Sequence, residues 1–106
     1  MYKRQVLGEV KNSVLSYNTQ VGEGAVVSYS VLMPGAVVES GAVVQYAIVG
    51  ENCRIGRDAQ VGAPPETAQD PDDWGVAVLG PGTVIGDGEI VPAKTLLDRH
   101  HGEVKA

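Results

Sequence analysis

The sequence predicts an all-β protein, a single-stranded parallel β-helix of hexapeptide repeats, and three observations lead to this fold class. Valine and isoleucine together number 22, glycine numbers 14 and phenylalanine is absent, a composition that suits short strands joined by tight turns. Residues 21–37 are followed at once by a second version of the same segment, residues 38–54. Aliphatic residues also recur about every six positions. Such a fixed period is typical of a repeat architecture in which stacked coils share one core.

The 17-residue repeat aligns similar residues into columns. Two columns are aliphatic in every coil that reaches them: Val10, Val27, Val44 and Val61, and then Val14, Val31 and Ile48. We expect the aliphatic columns to point inward and to stack into a continuous core, because each strand is too short to be stable alone. Another column holds Tyr29 and Tyr46, preceded by Asn12. We expect its side chains to point outward and the two rings to stack.

Near the C-terminus the period is six residues. Leu79, Ile85 and Val91 are evenly spaced, and each precedes a glycine or a proline. Three sides of about six residues make one triangular coil. A coil of 17 residues is then a triangle with one tightened corner, which we place at the segments "MPGA" and "GENC".

The length fits one domain, residues 1–106. We expect coils over residues 4–62 and 76–97. Residues 63–75 lose the period and are rich in proline and acidic residues, which predicts an excursion loop that leaves the helix at one corner. Residues 98–106 are polar and are expected to form a tail.

Charge and composition argue against several classes of partner. The formal net charge is −5 and the eight Lys and Arg residues are scattered, so no basic face for nucleic acid is expected. No apolar run is long enough to span a membrane, and the N-terminus lacks the apolar segment of a secretion signal. Cys53 is the single cysteine, which excludes an internal disulfide. We therefore expect a cytoplasmic protein that binds neither nucleic acid nor membrane.

The histidines and the cysteine are the first candidates for chemistry. Hexapeptide β-helices include acyltransferases, which need a histidine base between coils, and carbonic anhydrases, which need three histidines for a metal. The sequence has only His100 and His101, adjacent to each other in the tail, and neighbours in a strand point to opposite faces. Cys53 shares a repeat position with Thr19 and Ala36, so we expect a packed small side chain and not a nucleophile.

Two arginines could bind an anion. Arg54 and Arg57, however, lie near three acidic residues in the repeat register, namely Glu23, Glu51 and Asp58. We therefore expect a solvated face of mixed charge at this place.

The acidic loop and the glycine-rich segments have no recognisable ligand pattern either. Asp70, Asp72 and Asp73 lack the spacing of a metal-binding loop. The segments "VGEGA" and "LGPGT" precede no helix that could hold a phosphate, so we interpret their glycines as turn residues. The sequence thus predicts no catalytic, metal-binding or cofactor-binding residue and no cofactor.

The run "NSVLSYNTQVGEGAVVSYSVLMPGAVVESGAVVQYAIVGENCRIGRDAQVG" resembles the C-terminal β-helix domain of bacterial glucose-1-phosphate adenylyltransferase, also called ADP-glucose pyrophosphorylase. The later "GVAVLGPGTVIGDG" is similar to the final coils of that domain. The resemblance implies left-handed winding and a non-catalytic domain that oligomerises, packs on a nucleotidyltransferase catalytic domain and contributes to regulation. It also implies a homo-oligomer, and a role in ADP-glucose synthesis for glycogen.

The resemblance transfers no site residue to this chain. The catalytic carboxylates and lysines of that family lie in a domain that this sequence does not contain. The loop from Ala63 to Gly75 has no Arg or Lys, so no effector-binding residue is carried over. Two alternatives remain open: an independent hexapeptide-repeat acyltransferase, and the β-helix of another sugar-nucleotide transferase.

Overall fold

The computed structural model describes residues 4–64 and 75–97, and these residues form fifteen short strands and no helix. The strands are β1 (Arg4–Val6), β2 (Glu9–Lys11), β3 (Val14–Leu15), β4 (Thr19–Val21), β5 (Val26–Ser28), β6 (Val31–Leu32), β7 (Val37–Val38), β8 (Val43–Gln45), β9 (Ala47–Val49), β10 (Arg54–Ile55), β11 (Gln60–Val61), β12 (Ala77–Leu79), β13 (Val84–Ile85), β14 (Ile90–Val91) and β15 (Leu96–Leu97). Each strand is two or three residues long. No strand of this length is stable without neighbours.

The strands form three five-stranded parallel sheets, and every third strand belongs to the same sheet. We name them face 1 (β1-β4-β7-β10-β13), face 2 (β2-β5-β8-β11-β14) and face 3 (β3-β6-β9-β12-β15). Each set of three consecutive strands therefore makes one triangular coil, and five coils are stacked. This architecture confirms the predicted fold class and is consistent with a left-handed parallel β-helix of hexapeptide repeats.

One predicted aliphatic column forms part of the core. Val10, Val27, Val44 and Val61 are paired in register across face 2. Val27, Val44 and Val61 are completely buried. Burying a valine side chain stabilises a fold by about 1.5–3 kcal/mol. The inner residues of faces 1 and 3 close the same tube, and Ala25, Ala42 and Ala59 fill its corner.

The second column has the opposite orientation, and our expectation for it was wrong. Val14, Val31 and Ile48 are paired in register on face 3, but they point outward. The residues that follow them, such as Leu32 and Val49, fill the core instead. Neighbouring residues of a strand point to opposite sides, so a shift of one position exchanges the inner and outer residues.

The tightened corner also differs from our expectation. The segments "MPGA" and "GENC" hold ordinary turns, in which Ala36 N–H donates to Met33 O and Cys53 N–H donates to Gly50 O. The short corner lies between faces 2 and 3 in the first three coils, where only one or two residues separate the strands and one residue has a left-handed φ. The residues at this position are Asn12, Tyr29 and Tyr46, with φ angles of 48°, 49° and 49°. Inner residues across this corner are five positions apart, as in Val27 and Leu32. The 17-residue period alone does not show which corner of the triangle is the short one.

The first coil is shorter on another side. Arg4 pairs with Thr19 and Val6 with Val21, which are 15 residues apart. Later pairs on face 1, such as Val21 with Val38, keep the spacing of 17. The 17-residue register is therefore correct from β2 to β11 and wrong for β1. In the last coil the spacing is 18, as in the pair Val78 and Leu96, which agrees with the period of six seen near the C-terminus.

The ordinary corners are β-turns that need one left-handed residue. Ala42 N–H donates to Glu39 O at 3.3 Å, and Gly41 between them has a φ of 75°. The third residue of a type II turn requires a positive φ, which glycine and asparagine tolerate best. Asn18, Asn52, Gly24, Gly35 and Gly82 occupy this position in other corners.

Serine side chains bridge the coils at the short corner. Ser13 Oγ accepts a hydrogen bond from Ser30 N–H at 3.1 Å, and Ser30 Oγ accepts one from Ala47 N–H at 3.2 Å. Ser30 Oγ also donates to Ser28 O at 2.8 Å. The hydroxyl therefore supplies the acceptor that the backbone of the tightened corner does not provide.

Val44→Asp should prevent folding, whereas Gln45→Asp should be nearly neutral. Val44 is completely buried between Val27 and Val61, so a carboxylate there would lack any partner and destabilise the fold by several kcal/mol. Gln45 points the other way and is partly exposed. Soluble yield and thermal unfolding by circular dichroism measure both effects. Equal tolerance of the two substitutions would contradict the assignment of faces.

Ser30→Ala should lower the free energy of unfolding by about 1–3 kcal/mol, because it leaves a buried amide without its acceptor. That amide belongs to Ala47, which is 2% exposed. Urea unfolding measures the change. Ser40→Ala is the control, since Ser40 is an exposed turn residue. If the two alanine variants are equally stable, the hydroxyl bridge contributes nothing.

Candidate functional site

Cys53 is a core residue and not an exposed thiol. Its side chain is 1% exposed, and Sγ lies 3.0 Å from Gly80 O, to which the thiol donates. Burial raises the pKa of the Cys53 thiol above its ordinary value, against the smaller opposing effect of hydrogen bonds from Thr83, Gly50 and Gly82. A nucleophilic cysteine needs the reverse, an accessible thiol with a lowered pKa. The predicted packing of Cys53 as a small core side chain is confirmed.

The small residues at this corner explain why a cysteine fits. Thr19, Ala36, Cys53 and Thr83 occupy equivalent buried positions in successive coils. Thr19 Oγ1 donates to Ser16 O at 2.9 Å, and Thr83 Oγ1 donates to Gly80 O at 2.8 Å, so each polar atom is paired within its own turn. The side chains of this column fill the corner of the core, and their polar atoms are all hydrogen-bonded.

The arginines do not converge on an anion site. Arg54 forms an ion pair with Glu39, a residue that the sequence analysis did not name, and its side chain is 62% exposed. The backbone N–H of Arg57 donates to Asp87 Oδ1 at 2.9 Å. Both arginines and the three acidic residues named above are exposed, which confirms a solvated face of mixed charge. An exposed ion pair of this kind contributes at most about 1 kcal/mol.

Several candidate residues lie outside the described part of the chain. They are His100, His101, Asp70, Asp72 and Asp73. Within residues 4–64 and 75–97, no three His, Cys, Asp or Glu side chains are close enough to hold a metal ion. The same two segments contain no helix with the length and hydropathy that crossing a bilayer requires.

The tyrosine column has the predicted geometry. The ring centroids of Tyr29 and Tyr46 are 4.9 Å apart and the ring planes differ by 7°. Tyr29 is 51% exposed, at the corner between faces 2 and 3. A bulky residue rarely adopts a φ near 49°, so this corner presents aromatic rings in a backbone conformation that asparagine would adopt more easily.

Face 3 carries a surface that the sequence analysis did not recognise. Its outer column is aliphatic in all five coils: Val14, Val31, Ile48, Val78 and Leu96. Val14 is 61% exposed and Leu96 is 78% exposed. The repeat alignment showed the first three members of this column, but their aliphatic character was assigned to the core. The strands of face 3 contain no charged residue.

Residues 6–85 match the protein-family model described as "GlmU-like, C-terminal hexapeptide". No match is found among curated proteins. Among solved structures, the acetyltransferase domain of PglB from Neisseria gonorrhoeae FA1090 is 17% identical, with a TM-score of 0.47 over 87% of this chain and 47% of that chain. The same domain in complex with acetyl coenzyme A is 18% identical, with a TM-score of 0.42 over 90% of this chain and 51% of that chain. This chain therefore spans about half the length of these structures.

The family match supports the coarser part of the resemblance seen in the sequence, a hexapeptide β-helix domain. The matches do not point to ADP-glucose synthesis, and they leave the narrower resemblance to glucose-1-phosphate adenylyltransferase without support.

The Cys53 thiol should make the stability of the fold sensitive to alkaline pH. Its pKa is higher in the folded chain than in the unfolded chain. The contribution of this thiol to the free energy of unfolding is therefore constant below the ordinary thiol pKa. Above that value the unfolded chain ionises first, and the free energy of unfolding falls until the pH passes the raised pKa. Urea unfolding across this range measures the slope. Cys53→Ala introduces the residue that the preceding coil has at this position, and it should remove this part of the slope. Identical slopes in the two proteins would contradict the assignment.

Proposed function

We propose a function that starts from the family of this chain. The chain belongs to the GlmU-like C-terminal hexapeptide domains, whose model matches residues 6–85. The chain is proposed to be the β-helix domain of a hexapeptide-repeat acyltransferase, which takes an acyl group from an acyl coenzyme A thioester and passes it to an amine or hydroxyl. The family match is the observation that carries this proposal. It favours the acyltransferase over the regulatory domain of an ADP-glucose-forming enzyme.

The geometry defines what the described residues would contribute. The coils form a rigid stack in which buried side chains are apolar or internally hydrogen-bonded, such as Thr19, Ser30 and Thr83. The domain therefore offers surfaces and corners for binding, and the described residues offer no internal cluster for proton transfer. The pantetheine arm of coenzyme A is long and mostly uncharged, which suits a surface of stacked strands with a column of aliphatic side chains.

Acyl transfer also needs a base that takes the proton of the attacking group. The imidazoles of His100 and His101 are the only ones in the sequence. Under this proposal one of them supplies the base, or the base lies in a part of a longer protein.

A second candidate function is a non-catalytic scaffold for a sugar-nucleotide transferase, including glucose-1-phosphate adenylyltransferase. The observation that favours it is the lack of histidine in the coils, from residue 4 to residue 97. In this case the partners are further copies of the chain and a nucleotidyltransferase catalytic domain.

Calorimetric titration with acetyl coenzyme A separates the two candidates. The acyltransferase proposal expects saturable binding by the whole chain, and release of free thiol when amino-sugar acceptors are added. The double substitution His100→Ala and His101→Ala should slow thiol release by about a hundredfold or more, as expected for loss of a general base. Arg99→Ala is the matched control and should react at the original rate.

The remaining outcomes also discriminate. Saturable binding without thiol release keeps the acyl coenzyme A site in this domain and places the base elsewhere. No binding of acetyl coenzyme A would overturn the acyltransferase proposal and leave the scaffold.

A further inference from the structure

The short corner between faces 2 and 3 carries two stacked tyrosines that the fold itself does not require. Asn12, Tyr29 and Tyr46 occupy equivalent positions in the first three coils, with φ angles of 48°, 49° and 49°. Asparagine adopts this left-handed conformation more readily than an aromatic residue does. The first coil therefore forms the same corner with a residue that suits it better. Unfavourable backbone conformations cluster at functional sites, so the choice of tyrosine points to a role outside folding.

One face of the Tyr29 ring is covered and the other is open. The ring centroids of Tyr29 and Tyr46 are 4.9 Å apart and the planes differ by 7°, so Tyr46 covers the face toward the third coil. Tyr29 nevertheless remains 51% exposed, whereas Tyr46 is partly buried. Toward the first coil the equivalent residue is Asn12, whose side chain is shorter than a tyrosine side chain. The outer part of the Tyr29 ring is therefore accessible from this side, which we call the open face of Tyr29.

The side chains beside the open face are polar and carry no net charge. The exposed Asn12 amide has both hydrogen-bond donors and an acceptor. Ser28 precedes Tyr29 and adds a hydroxyl group at the partly exposed end of β5. The charged side chains of the adjoining strand β2 are Glu9 and Lys11, which lie on the same side of the strand and have opposite signs. A phosphate or another charged group would therefore gain little at this corner.

From these observations we infer that the open face of Tyr29 binds a pyranose ring of an uncharged saccharide. The carbon-bound hydrogens on one side of a pyranose ring are slightly positive, and they pack against the negative face of an aromatic ring. The hydroxyl groups lie around the edge of the sugar, and they both donate and accept hydrogen bonds. The amide of Asn12 and the hydroxyl of Ser28 match them.

The spacing of the coils favours a sugar over a flat nucleobase. Asn12 lies one coil, about 4.8 Å, from Tyr29 along the helix axis. A ligand whose edge meets the Asn12 amide is held at about this distance from the Tyr29 ring. A puckered sugar ring is thicker than a planar base, so it fills the gap more completely.

The shape of the site sets its affinity. The corner offers one aromatic face and two polar side chains, and it encloses little of the ligand, whereas a pocket buries most of it. We therefore expect a dissociation constant in the millimolar range. The inference is independent of the proposed acyltransferase function, because it involves neither acyl coenzyme A nor a histidine.

Saturation-transfer NMR of cellotriose with the whole chain tests the inference. The transfer should be saturable and strongest at the carbon-bound ring protons of the sugar. Tyr29→Asn introduces the residue that the first coil has at this position, and it should raise the dissociation constant by about tenfold or more. Tyr17→Asn is the matched control, because Tyr17 is 49% exposed but lies between faces 3 and 1. It should bind cellotriose as the unsubstituted chain does.

Other results would overturn the inference. A chain that shows no saturable transfer to cellotriose has no such site, and binding that survives Tyr29→Asn uses another surface. Adenosine serves as the uncharged nucleoside for comparison, and tighter binding of adenosine than of cellotriose would assign the corner to a planar base.

Circular dichroism shows whether each variant is folded. Should Tyr29→Asn fail to fold, Tyr29→Gly replaces it, since glycine also tolerates a positive φ. Unchanged cellotriose binding in that variant would equally contradict the assignment. Since no acyl coenzyme A is present, failure here does not bear on the proposed function.

Discussion

Backbone hydrogen bonds between successive coils are the interaction on which this structure depends. A strand of two residues cannot be stable alone, so each is fixed by the coil before it and the coil after it. The ladder continues through the corners, where Gly41 N–H donates to Glu23 O and Asp58 N–H donates to Ser40 O. Because every coil must follow the same path for these bonds to form, the inner side chains stack into columns. The columns in the sequence are therefore a consequence of hydrogen bonding as much as of hydrophobic burial.

The corners impose the second constraint, since one residue of each turn needs a positive φ. Glycine and asparagine satisfy it in most corners, as Gly24 and Asn52 do. Where the corner between faces 2 and 3 is short, the backbone also loses an acceptor, and a serine hydroxyl replaces it. These local requirements leave little freedom at the corners. Variation between coils is concentrated in the outward-facing strand residues, and that is where function can differ between proteins of one fold.

The sequence predicted the fold class, the register from β2 to β11 and the inner column through Val44, because a position that is repeated in several coils is easier to assign than a single one. It also placed Cys53 in the core and stacked Tyr29 on Tyr46, since residues one coil apart are neighbours. The prediction failed at the short corner, because a difference of one residue there decides which side chains point inward. The period of the repeat does not show which side is short, so the tight corner was misplaced and the column of Ile48 was assigned to the interior. The apolar surface of face 3 was missed for the same reason.

That error has a functional meaning. An aliphatic column in a β-helix predicts burial, and the column of Ile48 is not buried within its own chain. This outward column has the aliphatic residues of a core, as a surface that another chain covers would require. The buried interior of the described coils holds apolar or internally paired side chains, so it leaves no group for chemistry. Binding by this domain, whether of a second copy or of an acyl donor, therefore has to use its outer faces and corners. Face 3 is the face whose described strands carry no charged residue.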